Sequence, residues 1–141
     1  MKWFFDTSVL IPVFVEEHVH HERSFAAFEA ANRRVAGCAA HSLAEVYAGV
    51  TRLPGKNRMG VDQALIVIEN ILEQLTVVLL ESNEYLQVIR RASKNGIVGG
   101  TVYDALIAGC ASKAKAETIY TWNNRHFHLL GPEVAMRIAN P

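Results

Sequence analysis

The side chains able to do chemistry together in this chain are acids met one at a time, each at the start of an apolar stretch. Asp6 follows Trp3-Phe4-Phe5 and precedes Thr7-Ser8-Val9-Leu10; Glu45 lies in His41-Ser42-Leu43-Ala44-Glu45; Asp104 lies in Val102-Tyr103-Asp104-Ala105-Leu106-Ile107; Asn123, an amide, follows Thr121-Trp122. Asp104 is the oddest of them. Its helix is apolar almost all round and therefore buried, and a buried carboxylate needs a partner. No Lys or Arg stands within a turn of it. Two carboxylates about 4 Å apart repel by roughly 4 kcal/mol at an effective dielectric near 20. Three together cost on the order of 10 kcal/mol, comparable with the whole stability of a domain. Such a cluster must hold a cation or take up protons. Oxygen ligands with room for water suit Mg²⁺ or Mn²⁺ rather than zinc. A hard divalent ion in an acidic pocket is suited to phosphate chemistry: it binds a phosphodiester, acidifies a water and steadies charge on the leaving oxygen.

Convergence depends on the elements that carry these residues. At 141 residues, half of them hydrophobic and a fifth charged, the chain fits one domain, residues 1–141, with a proper core. Trp3 to Phe5 predicts a short buried strand that empties into a helix capped by Thr7 or Ser8 and running from Val9 to Val15, with Pro12 near its start. His18-Val19-His20-His21-Glu22 leads into Phe25, Phe28 and Glu29 at helical spacing. The histidines are therefore expected on the exposed side of an amphipathic helix closed by Arg33-Arg34, rather than around a metal. Val35 to Ala39 reads as a second strand, and His41 opens a helix that ends near Arg52. Lys56, Arg58 and Gly60 form a basic loop. Val61 to Leu75 is a helix with Leu65, Ile68, Ile71, Leu72 and Leu75 on one side. Thr76 to Leu80 is a third strand. Asn83 is expected to cap a helix through Lys94, stopped by Asn95-Gly96. Gly99-Gly100 makes a joint before a helix from Thr101 to about Ala114, and Thr118 to Thr121 is a fourth strand. The tail is expected to hold a short edge strand near Ala135 to Ile138. Alternating helices and short apolar strands imply an α/β fold, a parallel sheet between two helical layers. In such a sheet the strand ends and the following helix starts share one edge, so Asp6, Glu45 and Asn123 meet there by topology. Asp104 follows a glycine loop instead of a strand, so its place depends on how its helix packs.

Plainer readings stand beside these. Ser42-x-x-Glu45 is a capping-box pattern and Thr101-x-x-Asp104 is close to one. Fourteen basic residues against fourteen acidic ones leave no net charge, which excludes a whole-surface attraction to nucleic acid. Local cations remain: Lys56 and Arg58, Arg90-Arg91 with Lys94, Lys113 with Lys115, and Arg125. Only Arg125 is tied by sequence to the site edge. Cys38 and Cys110 sit in apolar surroundings without metal-type spacing, as reduced thiols of a cytoplasmic protein do. The apolar start is interrupted by Asp6 and Pro12 and lacks a cleavage site, and no stretch is long enough to cross a membrane.

Asp6-Thr7-Ser8 after a first strand, Ala44-Glu45, Tyr103-Asp104-Ala105-Leu106-Ile107-Ala108, and Thr121-Trp122-Asn123 followed by His126-Phe127 together resemble PIN domains, and among these the VapC-type toxins of toxin–antitoxin pairs. The resemblance spans essentially the whole chain, including Thr51-Arg52-Leu53-Pro54. It implies a three-layer α/β/α sandwich around a short-stranded, mostly parallel sheet, and a Mg²⁺-dependent endoribonuclease, commonly a homodimer, silenced by an antitoxin. Carried over by residue, Asp6 and Asp104 are the principal metal ligands and Glu45 completes the set directly or through water. Asn123 falls where many relatives have a fourth acid. An amide accepts a hydrogen bond from a metal-bound water but carries no charge, which weakens a strict two-metal mechanism. Thr7 and Thr121 are candidates to orient the carboxylates, and Arg125 to touch RNA.

Two other classes stay open. A phosphatase with Asp6 as nucleophile lacks the second carboxylate two residues on, where Ser8 stands. A nucleic-acid or protein-binding module with a weakened site draws its support from Asn123.

Overall fold

Neighbouring residues of a strand point to opposite faces, and β1 (Trp3–Phe5) uses that alternation to found two cores. Phe5 packs on one face with Val9, Leu10, Val46 and Ile71, while Phe4 packs on the other with Ile107, Ile119 and Phe127. Both phenylalanines are fully buried, each stabilising the fold by about 2 kcal/mol on transfer grounds. The computed structural model describes residues 1–141. It adds β2 (Ala36–Ala39), β3 (Thr76–Val78), β4 (Thr118–Tyr120) and β5 (Ile138–Ala139) in the order β3-β2-β1-β4-β5. Every pairing is parallel. The helices are α1 (Thr7–Val13), α2 (His21–Glu29), α3 (Ala40–Thr51), α4 (Val61–Gln74), α5 (Ser82–Lys94), α6 (Thr101–Lys113), α7 (Asn124–His128) and α8 (Pro132–Ala135). The first four pack around the Phe5 core, and α6 and α7 around the Phe4 core. This is the expected α/β/α sandwich, and no helix is long and apolar enough to cross a membrane.

Strand order reverses direction at β1, with β2 and β3 laid to one side and β4 and β5 to the other. Open parallel sheets leave a crevice beyond their carboxyl ends at such a switch point. Phe5 is in register with Cys38 on β2 and Tyr120 on β4. The next residues, Asp6, Ala39 and Thr121, therefore stand at one height at the carboxyl edge of the sheet.

Several boundaries differ from expectation for physical reasons. α1 starts at Thr7, so Asp6 itself occupies the cap position, without a side-chain capping bond, and Pro12 falls near the helix end. α2 begins only at His21 and stops at Glu29, so His18 and His20 lie in the preceding turns and Arg33-Arg34 in a later one. The buried face of α4 is Ala64, Val67 and Ile71, while Leu65 and Leu72 are exposed. Small Ala64 permits the close approach that a leucine would prevent. α5 is capped by Glu81 and Glu84 in a reciprocal capping box, not by Asn83. β3 ends at Val78, and Ala135 belongs to α8, with the edge strand starting at Ile138. Cys38 and Cys110 are free and buried, and burial pushes their thiols up to about 12 and about 11.

Gly37 stands where β2 meets β3. A Cβ there would lie 2.7 Å from the Thr76 carbonyl oxygen, a backbone atom that cannot swing away. Gly37→Ala is expected to destabilise the protein by about 1–3 kcal/mol, the usual cost of overpacking. Urea unfolding monitored by circular dichroism reads this as a lowered midpoint; an unchanged midpoint would refute the close approach.

Candidate active site: a buried acidic cluster

Asp6, 1 % exposed, is the most deeply buried acid in the molecule. Its Oδ2 accepts hydrogen bonds from Ser8 Oγ at 2.6 Å and Thr121 Oγ1 at 2.7 Å. The backbone amides of Thr7 and Ser8, at the start of α1, also favour its ionised form. Ser8 and Thr121 are themselves 3.3 Å apart and are fixed in turn by the backbone, Ser8 Oγ accepting from Trp122 N at 2.9 Å and Thr121 Oγ1 from Asn123 N at 2.9 Å. Burial outweighs these donors and raises the Asp6 carboxyl above the usual carboxylate range.

Glu45 stands in the second turn of α3 with its side chain 31 % exposed. Thr7 Oγ1 donates to its Oε1 at 3.1 Å, and His41 Nε2 lies 3.5 Å from the same oxygen. The capping-box reading of Ser42 and Glu45 does not hold: Ala39 is the cap residue, and Ser42 Oγ is buried without a partner. Burial raises the Glu45 carboxyl, opposed by His41 and Thr7 and reinforced by the charge of Asp6.

Asp104 lies in the first turn of α6, and its only side-chain partner is His126 Nδ1 on α7, 3.0 Å from Oδ2. Gly100, not Thr101, is the cap residue of that helix. Burial first, then the charge of Asp6, raises the Asp104 carboxyl to about 6; Glu45 adds to the rise and His126 opposes it. Each of the three acids is thus pushed upward, and Asp6 contributes to the rise of both others. The topology that joins Asp6 and Glu45 along the sheet edge also brings in Asp104, because α6 packs on β2 and α3.

The donor set is carboxylate oxygen short of positive charge, which fits a hard divalent cation. No three His, Cys, Asp or Glu side chains are grouped so as to grip one ion together. Such an ion would be held by one or two of these carboxylates and completed by water. Of the two threonines singled out by sequence, Thr7 donates to Glu45 and Thr121 to Asp6. Asn123 is exposed at the cap of α7, and its side chain bonds to none of the acids; Arg125 is exposed on the same helix without an ion-pair partner. Sequence reasoning missed Ser8 as a carboxylate donor, His126 as the partner of Asp104 and His41 beside Glu45. The available signals were a hydroxyl two residues after Asp6 and a histidine four residues before Glu45.

A PIN domain family profile matches residues 3–131. Among curated relatives, the chain is 39 % identical over 113 residues to Ribonuclease VapC27 of Mycobacterium tuberculosis (strain ATCC 25618 / H37Rv), covering 79 % of this chain and 78 % of the relative. It is 32 % identical over 117 residues to Ribonuclease VapC40 of Mycobacterium tuberculosis (strain CDC 1551 / Oshkosh), covering 81 % of each. Among solved structures, Mycobacterium tuberculosis VapC20, described as a sarcin-ricin loop cleaving toxin, superposes with a TM-score of 0.73 at 16 % identity, covering 89 % of this chain and 92 % of that one. VapBC2 from Rickettsia felis, bound to a promoter DNA fragment, gives 0.66 at 18 % identity, covering 99 % and 98 %. At such identities the structural likeness speaks to fold alone.

The raised Asp104 carboxyl has a thermodynamic consequence. The folded protein binds this proton up to about 6 and the unfolded chain only to the ordinary 3.8, so stability falls as pH rises through that window. At pH 7 without metal the penalty from this group is at most about 3 kcal/mol. Asp104→Asn is expected to raise the melting temperature in chelator at pH 7 and to flatten the loss of stability across that window. Scanning calorimetry of both proteins checks this; an unaltered pH slope would remove the case for a strained Asp104.

Proposed function

The chain belongs to the PIN-domain family and is VapC-like, and on that premise we propose that it is a Mg²⁺-dependent endoribonuclease, Mn²⁺ substituting, that serves as the toxin of a toxin–antitoxin pair. The single observation that carries the reading is the trio Asp6, Glu45 and Asp104, carried on elements that meet at one edge of the sheet, with every carboxyl raised, by burial first and in Glu45 and Asp104 also by the charge of Asp6. The ribonuclease names of the relatives and the toxin and VapBC descriptions of the fold neighbours support it.

In this reading Asp6 and Asp104 hold the cation and Glu45 joins through water. When bound, a divalent ion supplies positive charge against the scissile phosphate and acidifies a water. The chain's own groups do the rest. Ser8 and Thr121 fix Asp6 by its Oδ2, and Thr7 fixes Glu45 by Oε1, so that neither carboxylate must be ordered when substrate arrives. Glu45, the most exposed of the three, accepts the proton of the attacking water. His126 holds Asp104 by one oxygen and leaves the other to the site. Asn123 and Arg125, at the solvent-facing rim, contact the RNA, Asn123 through its amide and Arg125 through a phosphate. The protein acts in the cytoplasm as one domain, residues 1–141, with a cognate antitoxin and a second copy of itself as partners. Apolar side chains exposed on α4 and α5, among them Leu65, Ile66, Leu86 and Ile89, support such contacts.

Purified protein incubated with cellular RNA is expected to produce new RNA ends in Mg²⁺ and none in chelator. Asp104→Asn is expected to lower cleavage by about a hundredfold or more, the upper end of what losing a mere supporting partner costs, with an unchanged circular dichroism spectrum. Parental activity in Asp104→Asn would sink the site assignment. Metal-independent RNA binding without cleavage would favour a binding module instead.

A further inference from the structure

An acidic pocket in a protein with no net charge is a poor host for a polyanion, because the electrostatic term that supplies most nucleic-acid affinity is missing. Contacts that do not depend on charge then add to what Arg125 and the other local cations supply, and two aromatic stacks stand where such contacts are needed. On the β4 side of β1, the His20 ring lies on the Trp122 indole with centroids 3.8 Å apart and planes within 5°. The Arg23 guanidinium carbon is 5.2 Å from the same indole. On the β2 side, His41 and Tyr103 stack at 5.0 Å and 26°.

Both stacks are tied to the acids. The Trp122 amide donates to Ser8 Oγ at 2.9 Å, and Ser8 donates to Asp6 Oδ2 at 2.6 Å. The Trp122 indole N–H donates to buried Ser24 Oγ at 2.9 Å, which holds the ring plane against α2. His41 Nε2 is 3.5 Å from Glu45 Oε1, and Tyr103 directly precedes Asp104. Trp122 is anchored by its bond to Ser24, and each pair has a ring that reaches solvent: His20, with the His18 ring centroid 5.6 Å away, is only partly buried, and Tyr103 is 48 % exposed. Packing does not account for the second ring. A half-exposed tyrosine on a histidine beside a carboxylate buries little area, yet its flat face is what a nucleobase stacks on.

We infer that His20 and Tyr103 receive the two nucleobases that flank the bond being cut, each base extending a stack already built at one side of the acidic cluster. This rests on the ribonuclease reading above. The phosphate between two bases held apart in this way lies over Asp6 and Asp104, and the bases must be unpaired to reach the rings.

Steady-state cleavage of short single-stranded RNAs tests the assignment. His20→Ala and Tyr103→Ala are each expected to raise KM about tenfold, within the range for one lost base stack, and to leave kcat unchanged. His20→Phe and Tyr103→Phe, which keep a flat ring, are expected to restore the parental KM. An abasic nucleotide beside the cut, on the side served by the ring, should cost the parent the same factor and the alanine variant nothing further. A merely structural role would move neither of these last two readouts. Parental KM in both alanine variants, or an equal abasic penalty in parent and variants, overturns the assignment while the ribonuclease reading stands. A parent that cuts no RNA overturns both.

Discussion

Everything at the carboxyl edge of this sheet answers to one constraint: negative charge is buried there faster than the protein supplies positive charge to meet it. Asp6 is essentially sealed from solvent, Asp104 nearly so, and neither is paired with a lysine or arginine. The compensation is made of weaker parts. Two hydroxyls and two helix amides serve Asp6, one hydroxyl and a histidine edge serve Glu45, and one histidine serves Asp104. Hydrogen bonds to charged groups are worth about 1.5–3 kcal/mol each. That is sufficient to keep the groups in place and insufficient to make them ordinary carboxylates, as their raised proton affinities record.

The fold tolerates this because the cost is concentrated on a platform that does not move. β1 lies at the centre of five parallel strands, with Phe4 and Phe5 committing its two faces to separate cores. Asp6 leaves the sheet one residue beyond the register shared with Cys38 and Tyr120, and its amide remains bonded to the Tyr120 carbonyl at 2.9 Å. A carboxylate at that point cannot relieve its repulsion by swinging away, since the backbone on both sides is buried. Charge that cannot move away can only be met by a cation or a proton. The strain at the site and the order of the sheet are thus two consequences of the same three-residue strand.

The sequence made much of this legible, and the parts it hid share a cause. Strand and helix types follow from local apolar periodicity, so β1, β2, β4, α3 and α6 fall close to where the pattern puts them. Asp104 was conspicuous because an acid in an apolar helix has no local partner. What the pattern does not encode is which distant group a polar side chain chooses. Thr7 and Ser8 looked like helix caps, since hydroxyls at helix starts usually are; both instead turn to carboxylates, Thr7 to one 38 residues away. Glu45 looked like half of a capping box for the same reason. His20 looked like an exposed helical residue, and its stack on Trp122 spans a separation that no window of sequence contains. The rotation of α4, which buries Ala64 and Val67 and exposes Leu65 and Leu72, belongs to the same class: the larger apolar residue is not always the one that fits the groove.

The same constraint gives Asn123 a physical sense. A fourth carboxylate at the start of α7 would add its field to three groups that already raise one another, with the nearest cationic candidate, His126, occupied by Asp104. An amide in that place adds hydrogen-bonding capacity without charge. It also leaves α7 free to face the cluster with a base in place of an acid: His126 Nδ1 stands 3.0 Å from Asp104 three residues after the amide. Helix α7 therefore lowers the electrostatic cost of the site twice, once by the charge it omits and once by the imidazole it contributes. A cluster relieved in this way needs less imported charge to become neutral.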